Sequence, residues 1–197
     1  MKSCLISVCF TLLNSFILQA GVQNYVIASP DRNIVVRIEV SKSITYSVKY
    51  KDKLLILPSK ISLSIRPDII AGKESIVSDT LTRSVNSKII PAVKEKRAII
   101  PDVYNELILR FINHFELHFR VYDDAVAYRF AAHLSGEFTV IDEEAEFNFP
   151  PATIIYYPQV TKRSDADIFH TSFEELYSKV NLDTLPDNMF AYSPVLL

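Results

Sequence analysis

An all-β fold, an antiparallel β-sandwich, is what this chain of 197 residues predicts. Three observations carry that expectation: apolar residues alternate with polar ones at period two, turn residues separate the alternating runs, and helix-period patterning is almost absent. Ile34, Val36, Ile38 and Val40 share one face, with Arg37 and Glu39 on the other. Ile44, Tyr46, Val48 and Tyr50 repeat the pattern against Thr45, Ser47 and Lys49. After the polar turn Lys51-Asp52-Lys53, a run begins over 54–57, and Ile61, Leu63 and Ile65 alternate with Ser62 and Ser64.

The middle of the chain patterns most strongly. Leu107, Leu109 and Phe111 form one face, then Phe115, Leu117, Phe119 and Val121, then Val126, Tyr128 and Phe130. Asn113-His114 and Tyr122-Asp123-Asp124 fall where turns belong, so three antiparallel strands follow in order. Phe138, Val140, Phe147 and Phe149 predict two further strands around a solvated acidic hairpin of Asp142, Glu143, Glu144 and Glu146. Pro150-Pro151 ends that unit, and Tyr156-Tyr157-Pro158 opens a more irregular segment. A short helix is expected over 172–180, where Ser172 and Glu175 have capping-box spacing. Residues 68–91, rich in Ser, Thr, Lys and Asp, are expected to form a mobile loop. The length permits two sheets of six or more strands each.

Composition narrows the functional classes. A formal net charge of −2 gives no basic field for nucleic acid or anionic lipid, so neither is an expected partner. Lys2, the apolar run 5–18 and the small residue ending Leu18-Gln19-Ala20 read as a cleaved secretory signal over 1–20, with the mature chain at 21–197 and no membrane attachment after cleavage. Both cysteines, Cys4 and Cys9, fall inside that signal, so no disulfide or thiolate chemistry is expected of the mature chain.

Few residue groups suggest chemistry. His114 and His118 would chelate zinc on a helix, but on a strand they stand about 13 Å apart and read as polar residues of a solvated sheet face. The acidic run could bind calcium, although it lacks the glycine-spaced loop of known calcium motifs. Asp123-Asp124 could invite a glycosidase reading, but adjacent turn residues point apart, and turns favour Asp for backbone reasons. With three glycines in the whole chain there is no Gly-rich phosphate loop, and there is no G-x-S-x-G elbow. No catalytic residue is assigned.

Five segments in register resemble the N-terminal domain of glycoside hydrolase family 97, the α-glucosidases and α-galactosidases of Bacteroides-like bacteria. They are Val26-Ile27-Ala28-Ser29-Pro30-Asp31 with Asn33-Ile34-Val35, then 45–53, then Tyr104-Asn105-Glu106-Leu107, then 119–130 around Arg120-Val121-Tyr122-Asp123-Asp124, and finally 143–147. Ala125 stands where that family usually has glycine, Ser62 replaces part of a common Leu-Gly, and an upstream Trp-Gly is missing. The resemblance implies a galactose mutarotase-like β-super-sandwich followed by a catalytic (β/α)8 barrel, a periplasmic or secreted location, and α-glucoside or α-galactoside oligosaccharides as substrates of the intact enzyme. It also implies a calcium ion held by barrel glutamates and one glutamate of this domain. Glu174, three residues before Tyr177, is the positional match, with Glu175 the alternative. A barrel needs roughly 250 residues, so this polypeptide is expected to be inactive by itself. Tyr156, Tyr157 and Phe169 are expected to form an apolar surface toward the barrel. A free-standing secreted module that binds carbohydrate without cleaving it is the alternative, and a structural or adhesive sandwich with no sugar role is a third reading.

Overall fold

A computed structural model describes residues 21–65, 69–160, 167–169 and 174–197. The expected signal segment lies outside the described residues. The chain builds β1 (Gln23–Ala28), β2 (Ile34–Val40), β3 (Ile44–Tyr50), β4 (Lys53–Ile65), β5 (Ile69–Ala71), β6 (Val77–Ile89), β7 (Ile100–Phe111), β8 (Phe115–Val121), β9 (Val126–Ala132), β10 (Val140–Ala145), β11 (Ile154–Pro158) and β12 (Tyr177–Asn181). The first sheet runs β1-β2-β3-β4-β10, with β5 also on β4; the second runs β6-β7-β8-β9; β11 and β12 form a separate ribbon. Every pairing is antiparallel.

The alternation read from the sequence sets the layer between the two sheets. Val36, Ile38, Val40, Ile44 and Ile61 of the first sheet meet Leu109, Phe115, Leu117, Phe119 and Val121 of the second, and none is more than 1% exposed. At the centre the rings of Tyr46, Phe119 and Tyr128 lie 5.7–5.9 Å apart in tilted contacts, a favoured aromatic geometry. Tyr46 keeps its hydroxyl satisfied by donating to the Glu146 carbonyl at 3.2 Å.

Turn chemistry closes the hairpins. Lys51 at φ 51° and His114 at φ 64° turn β3 into β4 and β7 into β8. Gly72 at φ +98° ends β5, and a Cβ there would stand 2.7 Å from the Ile61 carbonyl oxygen. Only glycine meets both demands.

Three expectations are corrected and one open reading is settled. The segment read as a mobile loop contains β6, paired with β7 along its whole length from Val77 to Ile89. Only Val77 and Val85 of that strand are even half-buried; with both faces wet, no alternation marked it. The acidic run is not a hairpin between strands but lies mostly within β10 itself, which pairs with β4 and is exposed at every position. The two runs over 54–57 and 61–65 belong to one strand, β4, whose register against β3 shifts next to Pro58. Residues 177–180 form strand β12 rather than the end of a helix; the only helical turn among the described residues is Leu182–Thr184, where Asn181 accepts the Asp183 N–H. Ser172 lies outside the described residues.

Phe119→Ala would empty the site of a fully buried ring with two aromatic neighbours. It is expected to lower unfolding free energy by about 3–5 kcal/mol in urea titration, whereas Val26→Ala, 57% exposed on β1, should change it by less than about 0.5 kcal/mol.

Candidate functional site

Three of the segments that resemble a known family, 26–35, 104–107 and 119–130, meet at one end of the sandwich. Ser29, fully buried, donates its hydroxyl to Asp31 Oδ1 at 2.5 Å and accepts the Ile34 N–H at 3.0 Å. Asp31 Oδ1 also accepts the Asn33 N–H at 2.9 Å, and its Oδ2 accepts from the Asn33 amide. The hydrogen bonds from Ser29 and then the Asn33 backbone hold the Asp31 carboxyl below its ordinary range. The Asp31 N–H in turn donates to Asp123 Oδ1 at 2.9 Å, across 92 positions of sequence. Asn105 donates to the Ala28 carbonyl at 2.9 Å and accepts from Ser84 at 2.6 Å. The β1–β2 loop is thereby clasped to β7 and to the β8–β9 turn.

The outer face of the second sheet carries an ionic network. Glu106 is fully buried there, although it sits on the side of β7 opposite the core. Its two oxygens are held by Arg83 and by Arg120, the latter at 2.8 Å. Burial pushes the Glu106 carboxyl up, but the hydrogen bonds from Arg120 and Arg83 outweigh it and the net displacement is downward. Arg120 also lies 4.6 Å above the Tyr104 ring, which contacts the Tyr122 ring at 5.0 Å. Beside it, Glu116 accepts from His118 Nε2 at 2.8 Å and from Arg110 at 3.0 Å, with His133 at 3.4 Å. Burial raises the Glu116 carboxyl, yet these partners, His118 and Arg110 foremost, bring it down to about 2.

A groove of about 830 Å³ lies between the free edge of β1 and the inward side of β6 and β7, lined among others by Ser29, Thr82, Ser84, Asn86 and Asn105. A second, about 690 Å³, is bounded by Ile34, Leu54, Leu55, Asp124, Pro151 and Leu197.

The residues singled out in the sequence fare differently. His114 occupies a turn, and His118, expected on a solvated face, is 8% exposed and engaged by Glu116. They do not converge. Asp123 has a backbone-capping task rather than a chemical one, and Asp124 is exposed at the rim of the second groove. No group of three or more His, Cys, Asp or Glu side chains converges for a metal among the described residues. Glu174 is exposed and Glu175 half-buried. Tyr156 and Phe169 are exposed as expected, at 39% and 69%, while Tyr157 is 3% exposed and packs inward. At position 125 the backbone is not left-handed, so Ala is accommodated without strain. Sequence reasoning missed the arginine pair around Glu106. The signal was present as Arg83, Glu106 and Arg120, but β6 had not been seen as a strand.

Fold and clasp together define an antiparallel two-sheet β-sandwich domain with a polar clasp at one end. Residues 27–197 match the model of the glycosyl-hydrolase 97 N-terminal family. The chain belongs to that family. It is 30% identical over 183 residues to a retaining alpha-galactosidase of Bacteroides thetaiotaomicron, covering 91% of this chain and 27% of that protein. Among solved structures, a variant of a glycoside hydrolase family 97 enzyme from a Pseudoalteromonas species superposes with a TM-score of 0.67 at 18% identity, over 81% of this chain and 25% of that one. A beta-arabinopyranosidase gives 0.65 at 21% identity, over 79% and 26%. Both show the shared fold. The chain therefore spans about a quarter of the length of the relatives it matches.

Two measurements check the clasp and the network. Asp123→Ala, which removes an exposed acceptor but no buried apolar surface, is expected to cost about 0.5–1.5 kcal/mol and to speed hydrogen exchange at Asp31 and Asn33 without altering exchange in β2 and β3. Because the Glu116 carboxyl is depressed to about 2, its contribution to stability is complete above the ordinary carboxylate range and is lost as pH falls from roughly 5 toward 2. Glu116→Gln should flatten that acid limb of stability against pH, read by thermal melting.

Proposed function

We propose that this chain is the N-terminal, carbohydrate-associated domain of a family 97 α-glycosidase, which packs on a catalytic barrel and helps to form its sugar and calcium site. Support comes from the family match over 27–197, joined to an exposed apolar surface around the β11–β12 ribbon. Phe169 and Phe190 meet edge to face at 6.1 Å yet stay 69% and 52% exposed; Leu176 is 90% exposed, and Val195, Leu196 and Leu197 in the segment bridged to β11 are 43–64% exposed. A concentration of exposed apolar side chains of this kind marks an interface. That surface is the observation that carries the reading.

Glu174 adjoins Leu176 in this region. Its proposed task is to donate one carboxylate oxygen to a calcium ion whose remaining ligands belong to the barrel, with Glu175 as the alternative donor. Calcium accepts six to eight oxygen ligands, so one peripheral carboxylate is a reasonable share. The chemistry of hydrolysis, two carboxyl groups at a fixed separation across the glycosidic bond, is assigned to the barrel and none of it to this chain. Relatives in complex with panose and acarbose favour α-linked oligosaccharides as the substrates of the whole enzyme. The domain is proposed to act in the periplasm or outside the cell.

A second reading, a free-standing carbohydrate-binding module, draws on the groove between β1 and β6–β7, whose Ser, Thr and Asn side chains suit a neutral polyol.

The residues 21–197 alone are expected to release no product from p-nitrophenyl α-glucoside or α-galactoside; measurable turnover would sink the accessory reading. In the polypeptide extended through its barrel, Glu174→Gln should weaken calcium binding at least about tenfold by calorimetry, with melting of the sandwich unchanged. An unaltered affinity in both Glu174→Gln and Glu175→Gln would remove calcium from the proposal.

A further inference from the structure

The hairpin of β6 and β7 outruns its sheet. β8 covers β7 only as far as the Asn105–Val121 pair, whereas β6 and β7 stay paired for five further rungs, out to Ile89–Ile100. A two-stranded ribbon on its own is marginal in water. This one also carries aliphatic side chains at its end: Ile89, Ile90, Val93, Ile99 and Ile100 are 37–71% exposed. Lys88, Lys94, Lys96 and Arg97 surround them against the single Glu95, all exposed, a local net charge of +3. The whole chain carries −2, so the remaining residues carry −5.

A complementary strip lies on the first sheet. β10 pairs only with β4 and leaves its other edge free among the described residues. Asp142, Glu143 and Glu144 of β10 are exposed, as is the nearby Glu137. Interleaved with them are Phe138, Val140, Ile141 and Phe147, at 42–59% exposure. One surface is basic and aliphatic, the other acidic and apolar, and both are unpartnered within one copy. Solvated strand edges of this composition are common as a guard against aggregation, but a guard needs no matching finger.

We propose that the β6–β7 arm of one copy docks on the β10 edge of a second copy. A two-fold axis would let each arm find the other's strip, closing the contact into a dimer rather than a filament. Opposed charges would steer the encounter and fix its register, and the aliphatic side chains would supply the burial. The remainder at −5 opposes approach to an anionic lipid surface, which otherwise suits a basic aliphatic tip. The inference stands apart from the enzyme reading and fails separately from it.

Analytical ultracentrifugation of the full chain tests it. The expected result is a dimer at low salt that loosens as salt rises. The triple variant Lys94→Glu, Lys96→Glu, Arg97→Glu should weaken self-association on the order of a hundredfold. The variant Asp142→Lys, Glu144→Lys should do the same. An equimolar mixture of the two variants should dimerise again, because reversed arm meets reversed edge. Circular dichroism and melting of each variant check that these exposed substitutions leave the fold intact. A monomer at all concentrations overturns the proposal, as does a dimer indifferent to both variants. Arm-dependent sedimentation with vesicles of anionic phospholipid, without self-association, would overturn it in favour of a membrane surface.

Discussion

A one-residue slip of β8 would carry Phe115, Leu117, Phe119 and Val121 out of the core and drive Glu116, His118 and Arg120 into it. That constraint governs the molecule. Side chains alternate strictly along a strand, so register is an all-or-nothing choice wherever one face is dry. In β8 all four core-facing residues are at most 1% exposed, and β7 and β9 are paired to β8 over six and seven positions. The ionic network on the opposite face is possible only in this register: Glu106 stands across from Arg83 on one side and Arg120 on the other. Dry face and charged face specify the same pairing from opposite sides. Agreement between such independent signals is what gives a sequence one structure.

How far the fold can be read from the chain depends on this contrast between faces. β2, β3, β7 and β8 were legible because each has a dry face, and β9 because Val126, Tyr128 and Phe130 pack half-buried against the core while Ala127 and Arg129 are exposed. β6 and β10 were not, because both are wet on both faces and their hydrogen bonds to β7 and β4 leave no trace in hydropathy. The expected helix failed for a related reason. Capping-box spacing is a local preference, and pairing with β11 from Ile154 to Pro158 overrode it. In β12 Tyr177 stays exposed and Val180 is only half-buried, so no buried helical face existed to support the local signal.

The segments that revealed the family turn out to be joints. Asp123 caps the Asp31 backbone, Asn105 holds Ala28, and Glu106 gathers Arg83 and Arg120. None of these groups is free for chemistry. A buried carboxylate between two arginines stabilises little relative to an apolar replacement, and its worth lies in punishing wrong pairings. The same holds for the clasp, which gives a loop with a left-handed Arg32 a single geometry. The placement of the candidate calcium ligand was not legible in this way: Glu174 lies on an exposed stretch whose neighbours at 170–173 are outside the described residues.

The distribution of apolar surface separates what the domain does for itself from what it offers to others. Inside the sandwich nearly every apolar position is dry. Outside it most of the exposed apolar residues gather in three places, the C-terminal ribbon, the arm tip and the β10 edge, with Val22, Val26, Tyr50, Leu54, Leu55, Leu81 and Ile112 scattered elsewhere. Their chemistry differs. Around the ribbon Phe169, Phe190, Leu176 and the terminal leucines lie beside charges of both signs, Asp167, Glu174, Glu175 and Lys179, with no field of one sign, which suits the neighbour in the same polypeptide proposed above. At the arm and at β10 the apolar residues are interleaved with charge of one sign each, which suits a partner that arrives by diffusion and must be oriented. Hydrophobic burial is non-directional, so a surface that must choose a register needs the charges, and a surface joined covalently to its partner does not. On that physical ground the barrel and the second copy proposed above would be held differently, the one by burial and the other by burial steered by charge.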